Sequence, residues 1–276
     1  MTEQAFLEFH DGNRIPQLGL GVFKTGDDIA APTIRKAIET GYRHIDTAAM
    51  YDNEKGVGEG VRTCGLPREE IFVTTKLWND NQGRDKTLKA FDESFKRLGL
   101  DYIDLYLIHW PAPNRGLYVE TWKTLIELKA EGRVRSIGVS NFCPEHLEKI
   151  IDETGVKPVI NQVELHPLFQ QKKLRETHAK HGILTECWSP LGRGELLDNP
   201  AIMGVAKKHD RTAAQVIIRW HLQNGLVVIP KSSNPERIEE NFNVFDFILD
   251  DSDMRAIGGL DSALGRIGPD PMTATF

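Results

Sequence analysis

Three apolar runs of this chain end on Asp46, Lys76 and His109, and Tyr51 follows the first of them in a loop. A tyrosine hydroxyl, with an ordinary pKa of about 10, is a poor acid near neutrality. A neighbouring ammonium lowers that pKa by favouring the phenolate. Lys76 can play this part if Asp46 holds it in place, and His109 can donate a hydrogen bond to a substrate oxygen. Such a set delivers a proton to an oxygen as negative charge develops there, which suits reduction of a carbonyl by hydride. Read singly, each residue has a plainer explanation. Asp46 could cap a helix, Tyr51 could be an amphipathic surface group, Lys76 could merely neutralise Asp46, and His109 could be a hydrogen-bonded core histidine. Together, four titratable groups converging from neighbouring strands are an expensive arrangement for stability alone.

A second constellation surrounds Asn234-Pro235, a good helix start: Asn caps well and Pro suits the first helical position. Three residues past the cap stands Arg237, where Glu would be usual. A cation there opposes the helix dipole unless an anion sits with it. Lys231, Ser232, Ser233 and Arg237 therefore outline a phosphate site, against the plainer reading of a solvated Lys and Arg.

The elements that would position these groups recur in one grammar. Helical stretches end at Gly41, Gly65, Gly99, Gly132, Gly155, Gly182 and Gly225, and short apolar runs follow each. Those runs are Tyr42–Asp46, Ile71–Lys76, Tyr102–His109, Arg135–Ser140, Pro158–Val163, Ile183–Trp188 and Leu226–Pro230, with Leu18–Val22 ahead of them. Most are too short for helices and read as buried strands. Leu88, Phe91, Phe95 and Leu98 lay one apolar stripe along a helix over 85–98. Eight strands alternating with one-sided helices predict an α/β fold, a (β/α)8 TIM barrel over a single domain, 1–276. The rival is an open doubly wound sheet, but neither Gly19-Leu-Gly21 nor Gly56-Val-Gly58-Glu-Gly60 has the dinucleotide-binding spacing. Asp11-Gly12-Asn13 between Phe6–Phe9 and Arg14–Pro16 predicts a hairpin that closes the bottom of the barrel. In a barrel of this kind chemistry sits at the C-terminal strand ends, which also deliver Ser140, Asn141, Gln162, Glu164, Trp188 and Ser189.

A net charge of −6 and a pI near 5.9 argue against nucleic-acid binding through a basic surface. No apolar run is long enough for a membrane span, and the first residues lack a signal-peptide pattern. Cys64, Cys143 and Cys187 are scattered and suggest neither a disulfide framework nor a zinc knuckle. A cytoplasmic protein is expected. His178 and His181 are three apart on one helix, without a third ligand at a natural spacing, so a solvated surface is expected rather than a metal site. Asp250-Asp251-Ser252-Asp253 reads as the start of the last helix.

Several strings carry a family resemblance. They are Gly41-Tyr-Arg-His-Ile-Asp46-Thr-Ala-Ala-Met-Tyr51-Asp-Asn-Glu54, Lys76-Leu-Trp-Asn79, Asp104-Leu-Tyr-Leu-Ile-His109-Trp-Pro111, Ile137-Gly-Val-Ser140-Asn141, Asn161-Gln162-Val-Glu164-Leu-His-Pro167 and Ile229-Pro-Lys231-Ser232. In this order they resemble the aldo-keto reductases from end to end, most of all the bacterial 2,5-diketo-D-gluconate reductases. The resemblance implies a barrel that binds NADPH without a Rossmann fold. It implies Tyr51 as general acid, Asp46 and Lys76 tuning it, and His109 orienting the carbonyl. It gives Ser140, Asn141 and Gln162 to the nicotinamide carboxamide and Trp188 to the ring, with Ser189, Leu191 and Ser233 in the same cofactor set. Lys231, Ser232 and Arg237 would meet the 2′-phosphate, and Glu240 and Asn241 the adenine. Phe23, Trp78, Asn79 and Trp110 would line the substrate pocket. The substrates implied are small aldehydes and ketones, either sugar diketones or methylglyoxal-like dicarbonyls, acted on by a monomer. Two rival readings are a non-catalytic NADPH-binding subunit and a Schiff-base aldolase using Lys76. Two departures stand out: Asn234 replaces a basic residue, and the segment after Asp261, which folds over the pocket in this family, is short.

Overall fold

The computed structural model describes residues 4–276, so the first three residues of the expected domain lie outside the described ones. Phe6–Glu8 (β1) and Arg14–Pro16 (β2) pair antiparallel, with Gly12 at φ 86° in the turn between them. Phe9 and Ile15 beside that turn pack with Phe72, Leu105, Leu107, Val159, Ile160 and Val227. The hairpin thus fills the end of the barrel where the strands begin, as expected.

Eight parallel strands follow: Leu20–Gly21 (β3), His44–Asp46 (β4), Phe72–Leu77 (β5), Ile103–Ile108 (β6), Val134–Ser140 (β7), Ile160–Glu164 (β8), Leu184–Trp188 (β9) and Val227–Val228 (β10). They pair in sequence order, and bridges Leu18↔Val228 and Gly21↔Lys231 join the first to the last. The sheet therefore closes on itself, and every expected strand overlaps an observed one. Gly21 allows a close approach at this seam, where a Cβ would lie 3.0 Å from the Ile229 carbonyl oxygen, tighter than an ordinary contact.

The outer layer holds Asp27–Thr40 (α1), Glu54–Arg62 (α2), Arg84–Leu98 (α3), Tyr118–Ala130 (α4), Pro144–Thr154 (α5) and Lys172–His181 (α6). Pro200–His209 (α7), Ala213–Gln223 (α8), Pro235–Phe242 (α9) and Asp251–Gly258 (α10) complete it. The apolar stripe of α3 faces the core as its spacing required, with Phe91 and Leu98 fully buried. Asp250 caps α10 with its side chain, as its acidic start suggested.

Two expectations change. The second helix stops at Arg62 rather than at Gly65, because the Thr63 N–H closes the last turn on Glu59, and Gly65 sits in the following turn at φ 83°. His178 is not solvated. It is buried between Asn161, whose Nδ2 lies 2.9 Å from Nε2, and Thr185, whose Oγ1 lies 2.7 Å from Nδ1. Those two bonds occupy both ring nitrogens and explain the histidine as a core group.

α2 crosses the end of α3 at a glycine. A Cβ on Gly58 would lie 1.8 Å from the Leu98 carbonyl oxygen, so backbone would have to move. Gly58→Ala should therefore destabilise the fold by about 3 kcal/mol, through overpacking against an unyielding group. Chemical denaturation of the variant beside the parent protein measures this.

Candidate active site

The C-terminal ends of β4, β5 and β6 bring Asp46, Lys76 and His109 together. The Lys76 ammonium donates to Asp46 Oδ1 at 2.7 Å and to the Thr47 carbonyl at 2.8 Å, entirely out of solvent. Asp46 Oδ2 accepts from Gln162 Nε2 at 2.8 Å. Tyr51 stands on a short helical turn, Ala49–Tyr51, that follows β4. Asn53 fastens this turn: its amide nitrogen donates to the Val22 and Thr25 carbonyls, and its oxygen accepts from Thr47 at 2.6 Å. Glu54 pins the start of α2 to β5 through Thr75 and to α3 through Arg97. The Lys76 nitrogen then lies 5.1 Å from the centre of the Tyr51 ring, and the His109 ring lies 5.8 Å from it, edge-on.

Charge follows from this geometry. Burial disfavours the Lys76 ammonium, yet Asp46 beside it, with Tyr51 and Glu186, holds its pKa above the ordinary lysine value. Burial likewise pushes the Asp46 carboxyl up, against the pull of Lys76 and Gln162. His109 is held well below its ordinary value by burial and by the Lys76 charge, so its imidazole is neutral. Tyr51 differs from the sequence expectation. Lys76 does pull its pKa down, but burial is the larger effect, and Asp46 and Glu186 add to it, so the hydroxyl ends above the ordinary tyrosine value. It stays protonated, which suits a proton donor.

Around this centre lie the other expected residues. Phe23 packs against Tyr51 with ring centres 5.0 Å apart, and Trp78 meets His109 at 5.2 Å. Phe276 stacks on Trp78, meets Trp110 edge-on, and accepts a hydrogen bond from Asn79 through its backbone oxygen at 3.1 Å. Phe276 was not foreseen as a wall of the pocket; only folding of the tail brings it there. On the other side, Trp188 Nε1 donates to Asn141 Oδ1 at 2.8 Å, and Asn141 Nδ2 donates to the His109 carbonyl and to Ser140. Asn141 and Ser189 both hold left-handed backbone, at φ 63° and 49°. Strain of that kind persists only where the surroundings enforce it.

The tail reaches the pocket through Glu164. Its carboxylate accepts the backbone N–H groups of Ile267 and Gly268 at 2.6 and 2.7 Å, and Gly268 lies so close to Trp188 that a Cβ would come within 2.5 Å. Glu164 thus anchors the tail rather than facing the reacting groups. The phosphate constellation surrounds the start of α9, where Asn234 Oδ1 accepts from the Arg237 N–H at 3.0 Å. Lys231, Ser233 and Arg237 are exposed, Ser232 is buried, and neither cation forms an ion pair among the described residues. Glu240 and Asn241 follow Arg237 by three and four residues on the same helix face. Thr212 donates to the Glu240 carboxylate at 2.9 Å. Leu191, three residues past Trp188, packs partly buried against the core.

Two groups went unread in the sequence. His44 and Glu186 lie fully buried within β4 and β9. The available signal was a charged side chain inside an apolar strand, two residues from another inward-facing group: His44 before Asp46, and Glu186 before Trp188.

Fold and site define a (β/α)8 protein with a buried cluster of titratable groups at the C-terminal mouth of its barrel. Residues 17–262 match the aldo/keto reductase family, and the chain belongs to that family. It is 55% identical to an aldo-keto reductase of Mycolicibacterium smegmatis over 270 residues, 98% of each chain. It is 52% identical to the methylglyoxal reductase DkgA of Escherichia coli over 273 residues, again 98% of each. A solved structure of a Gox0644 mutant in complex with NADPH superposes with a TM-score of 0.96, at 57% identity and 99% of each chain.

The ion pair sets the stability of this region. Lys76→Met should destabilise the fold by about 3–5 kcal/mol, because it leaves the buried Asp46 carboxylate without its counter-charge. The double variant Lys76→Met with Asp46→Asn should recover part of that loss. Denaturant midpoints of the three proteins check both.

Proposed function

We propose that this chain reduces small dicarbonyl compounds of the methylglyoxal type with NADPH, acting through residues 1–276 as one unit. When bound, the nicotinamide supplies the hydride. The observation that carries the reading is the protonated Tyr51 hydroxyl set beside a buried Lys76–Asp46 pair and a neutral His109. His109 donates its N–H to the substrate carbonyl and fixes the oxygen near Tyr51. Tyr51 gives its proton to that oxygen as charge develops, and the Lys76 ammonium stabilises the phenolate left behind. Asp46 keeps Lys76 aimed and charged.

The residues present suit NADPH. Two exposed, unpaired cations at a capped helix start fit the extra phosphate, which is a dianion NADH lacks. Asn234 spends its side chain on the cap, so Lys231 and Arg237 carry the preference. Ser140, Asn141 and Gln162 would hold the carboxamide, and Trp188, Ser189 and Leu191 the ring side of the cleft. The bond from Trp188 to Asn141 Oδ1 would hold that amide in place. Ser232 and Ser233 would add hydroxyl donors to the phosphate, and Glu240 and Asn241 would face the adenine.

Phe276 between Trp78 and Trp110 favours small substrates. The pocket walls are Phe23, Trp78, Asn79, Trp110 and Phe276, so an extended polyol gains few hydrogen bonds there. A substrate panel spanning methylglyoxal, simple aldehydes and 2,5-diketo-D-gluconate tests the choice. A higher kcat/KM for the sugar diketone would overturn it.

Tyr51→Phe should lower kcat by about 10³-fold while NADPH binding stays near that of the parent. Wild-type turnover by this variant would end the assignment of Tyr51. Lys231→Ala and Arg237→Ala should each weaken NADPH binding about tenfold and leave NADH almost unaffected. Fluorescence titration with both nucleotides reads this out.

A further inference from the structure

Beneath the Lys76–Asp46 pair the barrel interior holds a second carboxyl with no cation of its own. Gln162 Nε2 donates one N–H to Asp46 Oδ2 at 2.8 Å and the other to Glu186 Oε2 at 2.9 Å. Glu186 Oε1 has no hydrogen-bond partner and faces His44 Nε2 at 3.6 Å. His44 Nε2 also lies 3.1 Å from the Thr74 hydroxyl. Glu186, His44, Lys76 and Thr74 are all completely buried, and Asp46 and Gln162 nearly so. His44 reaches this depth because Gly19 opposes it: a Cβ there would come within 2.5 Å of its Nδ1.

Counting charge decides the protonation. The groups facing Glu186 are His44 and Asp46 on β4, Lys76 on β5, Gln162 on β8 and Tyr51 above. β10, paired with β9 on its other side, offers only Val227 and Val228. Lys76 is the one cation, and Asp46 already claims it at 2.7 Å. A second buried anion would be uncompensated, which costs several kcal/mol. His44 cannot supply the missing charge, since burial and the Lys76 ammonium push its pKa down to about 3. A metal held by His44, Asp46 and Glu186 would have to sit against the Lys76 ammonium and the Gln162 N–H groups, which already point at both carboxyls.

We propose that Glu186 is a positioning residue of the active site: a neutral, proton-bearing carboxyl that accepts one N–H of Gln162 and directs its own proton at His44, so that Gln162 is locked and Asp46 remains the only anion facing Lys76. Burial first, and the Asp46 charge second, push the Glu186 pKa up to about 8, which agrees with this geometry. Gln162 is thereby aligned from below with its remaining oxygen free. Ionisation of Glu186 adds a second anion to the cluster, which strengthens the hold on Lys76 and makes Tyr51 a weaker acid. The inference rests on the reading above only for the roles of Tyr51 and Gln162.

The sign of the stability effect is fixed by linkage. The folded-state pKa of Glu186 is raised, so its stabilising contribution is complete below the ordinary glutamate value and is lost as pH rises to about 8. The test compares the parent, Glu186→Gln and Glu186→Leu by thermal unfolding from about pH 5 to about pH 9. Relative to the parent, Glu186→Gln should gain Tm steadily across this range and level off at its alkaline end. Glu186→Leu leaves a Gln162 N–H without an acceptor, so NADPH binding should weaken about tenfold, and Glu186→Gln should restore most of it. The parent should also show the infrared carbonyl band of a protonated carboxylic acid at neutral pH, absent from Glu186→Gln. A pH-independent Tm difference, or a missing band, overturns the proposal, and the band is readable in the parent even if a variant fails to fold. None of these readouts requires turnover, so they stand or fall apart from the Tyr51→Phe result.

Discussion

A single buried ion pair organises this protein. Lys76 and Asp46 meet inside the barrel without water, where two separated charges would be prohibitive and one alone nearly so. The pair draws further hydrogen bonds from its surroundings: the Thr47 carbonyl accepts from the ammonium and Gln162 donates to the other carboxylate oxygen. Those demands reach three strands and the loop after β4. They also dictate the states of the neighbours. Burial keeps His109 neutral with the ammonium's help, and the ammonium offsets in part the burial that keeps Tyr51 protonated. The chemistry available at the mouth of the barrel is thus a by-product of how one cation is accommodated in a dry interior.

Much of this was legible in the chain. Short apolar runs after glycines located seven of the eight barrel strands, and the apolar run Leu18–Val22 ahead of the first helix located the other, because a parallel sheet covered on both sides needs continuous apolar sequence. Strand ends then gave Asp46, Lys76 and His109, since a polar group closing a buried strand must find a cleft or a partner. Asn234 and Pro235 showed the start of α9 through capping chemistry alone. What stayed hidden depended on contacts across the barrel. His178 resembled a surface histidine until Asn161 and Thr185 were found on either side of its ring. Glu186 and His44 sat unremarked inside strands because nothing local shows which carboxyl will share a glutamine with Asp46. Phe276 could join Trp78 and Trp110 only once the tail had folded. The pKa of Tyr51 was misjudged in sign for a related reason: sequence supplies the neighbouring charge, and only the fold supplies the depth of burial.

The hairpin and the tail divide labour at the two ends of the barrel. At the end where strands begin, Phe9 and Ile15 complete an apolar plug that excludes water from the interior holding Glu186 and His44. At the other end, aromatic rings from the loops and the tail shape an opening above the ion pair. The strand core between them is rigid and strongly specified.

Glu164 holds the tail by accepting two main-chain N–H groups, not by gripping side chains. Every residue but proline offers that donor. Side chains enter at a few places: Gly268 must leave room for Trp188, a Cβ on Gly265 would strike the Leu168 carbonyl, and Arg266 lies over the Phe169 ring. The mooring at Ile267 and Gly268 and the aromatic tip at Phe276 are therefore held by separate contacts, one main-chain and one ring to ring. One strap thus has two independent fastenings, and neither of them borrows a group from the Lys76–Asp46 pair.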